Sequence, residues 1–94
     1  MSNAIDDTLR AIECNGGIVT LYTSTTSTKR TYRCMSIKSS LVRDCIKARK
    51  LVRLHAMNEV RYLRHGTSEL LTEIYATEET ARSIADALKR EGYA

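Results

Sequence analysis

Apolar residues recur along this 94-residue chain with two different periods. Ile5, Leu9 and Ile12 return at helical spacing, Asp6 and Asp7 fall where a helix dipole favours anions, and Gly16-Gly17 follows as a stop. Residues 4–14 are therefore predicted to be helical. IVTLYT, residues 18–23, is rich in branched side chains and reads as a strand. TSTTST, 23–28, has little to bury and reads as a loop, and TYRCM, 31–35, returns as the partner strand. Ser36 is placed to cap a second helix over 37–49. In that helix Ile37, Leu41, Val42, Cys45, Ile46 and Ala48 gather on one side at ~100° per residue. Ser39, Ser40, Arg43, Lys47 and Lys50 gather on the other, while Lys38 and Arg49 extend their stems past the core towards water.

The C-terminal half switches period twice more. Residues 50–56 and 59–65 read as two strands around a Met57-Asn58 turn, and LLTEIYA, 70–76, as another strand. The last helix carries a complete set of local signals. Thr77 caps it, Glu78 and Glu79 occupy its first turn, and Ala81, Ile84, Ala85 and Leu88 form its apolar stripe. Lys89 and Arg90 end it before Gly92. The expected order is α-β-β-α-β-β-β-α: a small α+β domain spanning residues 1–94, with an antiparallel sheet.

Composition narrows the class. Apolar residues make up 43 % and charged ones 28 %, the balance of a folded chain. Phe and Trp are absent, so Ile, Leu, Val, Ala, Met and the five tyrosines must build the core. Tyr22 and Tyr32 are accordingly read as core residues rather than as base-stacking platforms. Cys14, Cys34 and Cys45 have no CxxC spacing and read as reduced, partly buried small hydrophobes. No export-signal layout or bilayer-length apolar run is present, so a cytoplasmic location is expected.

Charge changes the picture most. Residues 1–28 set Arg10 against three carboxylates, a balance of −2, and residues 66–94 carry −3. Residues 29–65 hold eleven Lys and Arg against Asp44 and Glu59, a balance of +9. The formal +4 thus conceals a sharply polarised chain. Such a density of cations calls for a compensating anion, and a phosphate backbone is the commonest polyanion. Lys38, Ser39, Ser40, Arg43, Lys47, Lys50, Arg53, Arg61 and Arg64 form the candidate contact set. His55 and His65 lack any metal-ligand spacing and read as further phosphate contacts. No nucleophile–base order, phosphate-binding glycine loop or carboxylate pair stands out, so neither an enzyme nor a cofactor is expected.

The run of an outward-basic helix, then KLVRL, a short turn and VRYLRHG over residues 36–66 resembles the third helix and wing of winged-helix DNA-binding domains. The resemblance implies that Ser39, Ser40, Arg43 and Lys47 face a groove and that Arg53, Arg61 and Arg64 make wing contacts. It also implies that Leu51, Val52, Val60, Tyr62 and Leu63 pack the wing down. The chain departs from that pattern where the 18–35 hairpin replaces the positioning helix and where Lys50 stands at a common glycine position.

Two functions follow as expectations. One is a small regulatory nucleic-acid-binding protein, a homodimer in one variant, with DNA favoured over RNA as its partner. The other is an interaction module, such as a small inhibitor or adaptor, that engages an acidic protein partner through its basic face or an open strand edge. Both require the cations of the middle segment to converge on one side of the molecule. No membrane partner is expected.

Overall fold

The structure, a computed structural model, describes residues 3–92. Its elements are α1 (Ala4–Cys14), β1 (Ile18–Thr25), β2 (Arg30–Cys34), α2 (Ser39–Lys47), β3 (Leu51–Leu63), β4 (Gly66–Thr77) and α3 (Glu78–Arg90). The α+β class and the antiparallel sheet are as expected, with four strands in the order β2-β1-β4-β3. Each hairpin pairs with itself. The long-range pairing of β1 with β4, residues 18–25 against 69–76, joins the two hairpins into one sheet.

The expected strands 50–56 and 59–65 are one continuous strand. Met57 and Asn58 face Thr72 and Leu71 across the ladder instead of turning. The chain reverses at Arg64-His65, and Gly66, the first residue of β4, follows at φ 142°, a conformation that side-chain-bearing residues rarely adopt. The expected strand 70–76 is accordingly the inner part of β4. Pairing explains the difference: a strand's length is set by the partner available to it, and β4 offers one along its whole run.

The second helix is shorter than its apolar stripe suggests. Ser36 does not cap it, being held at φ 70°, and the N-cap is Lys38 without any side-chain cap bond. Arg49 at φ 58° takes the chain out of the helix. At the first helix Asn3 Oδ1 accepts from the Asp6 N–H at 2.8 Å. At the last, the Thr77 hydroxyl accepts from the Thr80 N–H at 3.3 Å, as expected.

The core lies between α1, α2 and one face of the sheet, here the near face. Ile12, Val42 and Cys45 are fully buried against Val19, Leu21, Leu51 and Tyr75. The alternation of the register places Val19, Leu21 and Tyr75 on that same face. Because α2 connects β2 to β3, which are opposite edges of the sheet, it must cross the near face. It covers only the half nearest the starts of β1 and β3. Helix α3 contributes no buried residue. Its start is held to α1 by Glu13, which accepts from the hydroxyls of Thr77 and, at 3.4 Å, Thr80. Among the described residues no helix is long and apolar enough to cross a membrane.

Candidate nucleic-acid interface

Where α2 stops covering the near face, a trough opens. Its helix wall carries Arg43 and Lys47, its strand wall Tyr32, and its floor Thr23, Glu73 and Tyr75. It continues outward past Arg30, Asn58 and Glu69 as an open cavity of about 390 Å³. The Arg43 guanidinium lies 3.6 Å from the centre of the Tyr32 ring, which fixes a long cation on the trough's rim. Tyr32 itself packs against the core, so the position expected of it holds and gains a second use.

Glu73 is the floor's fixed charge. Its side chain is 13 % exposed, and Oε2 accepts from the Tyr75 hydroxyl at 2.7 Å and pairs with the Arg53 guanidinium at 3.4 Å. Burial, then the hydrogen bond and charge of Glu73, push the Tyr75 hydroxyl up to about 12; Arg53 opposes this in part. Tyr75 therefore remains a neutral donor at any physiological pH. A phosphate meets cations at the trough's rim and a carboxylate at its floor, so the arrangement favours contact along the rim.

The candidate residues divide into two groups. Lys38, Ser40, Lys47 and Lys50 are exposed on or beside α2. Asp44 shares that outward surface, four residues after Ser40, and places one negative charge within it. The Ser39 hydroxyl is turned inward and donates to the Tyr32 carbonyl at 3.3 Å. Arg53 lies on the near face, tied to Glu73. Arg61 lies on the far face, 3.8 Å from Glu59, and Arg64 occupies the turn at the tip of the β3–β4 hairpin. The residues expected to pack a wing are mostly open: Leu51 is buried, whereas Val52, Val60, Tyr62 and Leu63 are exposed.

A β-bulge separates Arg53 from Arg61. Arg53 faces Tyr75 and His55 faces Ile74, so Leu54 is an extra residue in the ladder. Two arginines an even number of residues apart would share a face in a regular strand. The inserted Leu54 puts them on opposite ones. Arg30 is a rim residue that the pattern reading passed over, although its period-two spacing from Tyr32 signalled a shared face. Glu69 was also passed over, since nothing local to LLTEIYA distinguishes the face that meets α2. Glu73, for which plain strand exposure is the expectation, lies on that face with its side chain only 13 % exposed.

The cysteines are all unpaired: Cys45 buried, Cys34 half-buried and Cys14 exposed. Burial raises the Cys34 thiol, and burial followed by the charge of Asp44 raises that of Cys45, so neither is an activated nucleophile. No protein-family model, curated protein or solved structure matches this chain.

Of the eleven cations in residues 29–65, only Arg53 and Arg61 form ion pairs with described carboxylates, which leaves nine without one. Both partners of the Arg61–Glu59 pair are more than half exposed, so that pair neutralises little.

Proposed function

We propose that this protein binds nucleic acid, duplex DNA in particular, with α2 and the trough rim as its main contact and the hairpin tip as a second. The observation that carries the reading is the set of nine unpaired cations. Arg30, Lys38, Arg43, Lys47 and Lys50 lie on α2 and the strands around it. Each phosphate met by one of them releases condensed counterions, which yields affinity without sequence preference. Ser40 adds a hydroxyl donor, and Arg43, held by Tyr32, adds a pre-positioned guanidinium. In this reading α2 takes the place of a winged-helix recognition helix and the hairpin that of a long wing. From Arg53 to Arg64 the strand spans up to about 36 Å at ~3.3 Å per residue. That is close to one duplex turn of about 34–36 Å, so Arg64 reaches the backbone a turn away from α2.

Fluorescence anisotropy against duplexes of increasing length, across a salt series, tests this. The double variant K47Q/K50Q is expected to flatten the slope of log affinity on log salt by about 2. R64A is expected to flatten it by about 1 on a duplex longer than ~20 base pairs and to leave an ~8-base-pair duplex unaffected. No duplex binding at low salt, or slopes indifferent to these substitutions, refutes the reading. Equal or tighter binding to single-stranded or duplex RNA reassigns the partner within the same chemistry.

One feature favours a protein partner as the second reading. β3 is an edge strand of 13 residues with an unpaired ladder side, a template for strand addition. A partner retained on the protein after nuclease digestion selects that reading.

A further inference from the structure

The face of the sheet opposite α1 and α2 carries a second apolar surface that no element of the core covers. Register alternation points Ile18, Val52, Met57 and Leu63 to this far face, with His55 and the Glu59–Arg61 pair interspersed among them along β3. All four apolar residues are exposed, Met57 by 58 % and Leu63 by 55 %. Helix α3 bears an apolar stripe of the same kind. Ile84 is only partly buried, Leu88 is 46 % exposed, and no residue of the helix joins the core.

The size of the molecule states the same excess in another way. The chain exposes 7133 Å², whereas a compact monomer of this length exposes about 5,500 Å². Its radius of gyration is 15.6 Å, against about 12 Å for a compact domain of 94 residues. Its extents are 48 × 42 × 20 Å, so the molecule is a thin slab with little interior. A four-stranded sheet is only about 15 Å wide between its outer strands. Of the three helices, α3 is the one without a buried residue.

From these observations we infer that the far face and α3 form the interface of a homodimer. One chain presents both halves of an apolar contact, a flat sheet face and an amphipathic helix. A two-fold axis lets each copy's helix cover part of the other's sheet, which closes the assembly at two. If each copy hides its excess of about 1,600 Å², the pair buries about 3,200 Å² in total, within the range of obligate homodimers. The α2 surface lies on the other side of the sheet and stays open, so the dimer does not depend on the nucleic-acid reading.

Sedimentation velocity and thermal melts of the full chain between about 1 and 100 µM test the inference, because the melting temperature of a dimer rises with concentration. The expected result is a species of twice the chain mass with a concentration-dependent melt. M57E and L88E substitute exposed positions and so leave the isolated chain's core untouched. Each is expected to weaken dimerisation by roughly 100-fold or more, as a carboxylate buried in an apolar contact does. K47Q/K50Q should leave it unchanged. A variant that unfolds while the wild-type melt rises with concentration also supports the inference, since it marks a fold that needs its partner. A monomer at the highest concentration, with a concentration-independent melt, overturns it and leaves the face to another protein. A dimer undiminished in both variants overturns the placement of the interface.

Discussion

Replacing Gly17 by Ala tests how α1, β1 and α3 are joined. Gly17 is buried at φ +78°, its N–H donates to the Ile12 carbonyl at 2.9 Å, and its own carbonyl accepts from the Thr77 N–H at 3.1 Å. A methyl group added there would lie 2.8 Å from Thr80 Cβ and 3.0 Å from Thr80 Cγ2, and closer still to the hydroxyl. Thr80 has little room to yield. It sits in the first turn of α3, its N–H is used by the Thr77 cap, and its hydroxyl reaches Glu13. Holding Ala in the left-handed region costs about 1–2 kcal/mol. The added clash costs a further ~1–3 kcal/mol, as overpacking usually does. G17A is therefore expected to lose about 3 kcal/mol. G16A is the control: Gly16 has φ +94° but nothing within 4 Å of its would-be Cβ, so it bears the backbone cost alone. Urea unfolding followed by circular dichroism at one protein concentration gives both values, with an unchanged m-value as the check on two-state behaviour. If G17A and G16A agree within ~0.5 kcal/mol, the close approach of α3 to Gly17 is refuted.

Two further outcomes follow from the trough and its strand. Tyr75 in the folded protein holds its proton to about pH 12, whereas the unfolded chain releases it near the ordinary value of 10. The stability this contributes is complete below the unfolded value and is lost as pH rises through the folded one, amounting to about 2–3 kcal/mol over two pH units. Urea midpoints should therefore fall more steeply for wild type than for Y75F across that window, and parallel curves would contradict the burial of the Tyr75 hydroxyl against Glu73. Deleting Leu54 should cost no more than about 1 kcal/mol, because it leaves Arg53 and His55 opposite consecutive residues of β4. Deleting Met57 instead shifts one side of the strand by a residue, exchanges its faces, and should cost several times as much in the same urea assay.

How much of this molecule a linear reading reaches depends on the range of the interactions involved. The ends of α1 and α3 were plain because capping and stop signals act within one turn: Thr77 and Gly92 frame α3 as their positions imply. The stripe of α2 was also plain, with Val42 and Cys45 buried as spaced. The charge imbalance of the middle segment is a property of composition, and no fold can remove it. Strand extent was not accessible in this way. Met57-Asn58 passes for a turn until Thr72 and Leu71 are seen to pair with it, a contact made across about fifteen residues of chain.

The candidate interface divides along the same line. The residue types that could meet a polyanion are set by the sequence, which holds eleven cations in residues 29–65. Which of them stand together was decided by one inserted residue, Leu54, whose bulge sends Arg53 to the near face and Arg61 to the far one. Pairing was decided both locally and at a distance: Arg61 meets Glu59 on its own strand, Glu73 of β4 reaches Arg53 across 20 residues of sequence, and Lys47 and Lys50 are left without an ion pair. Local propensity depends on neighbours within a few residues and can be read from the chain. Facing, pairing and exposure depend on which distant segment lies alongside, and only the folded sheet determines that.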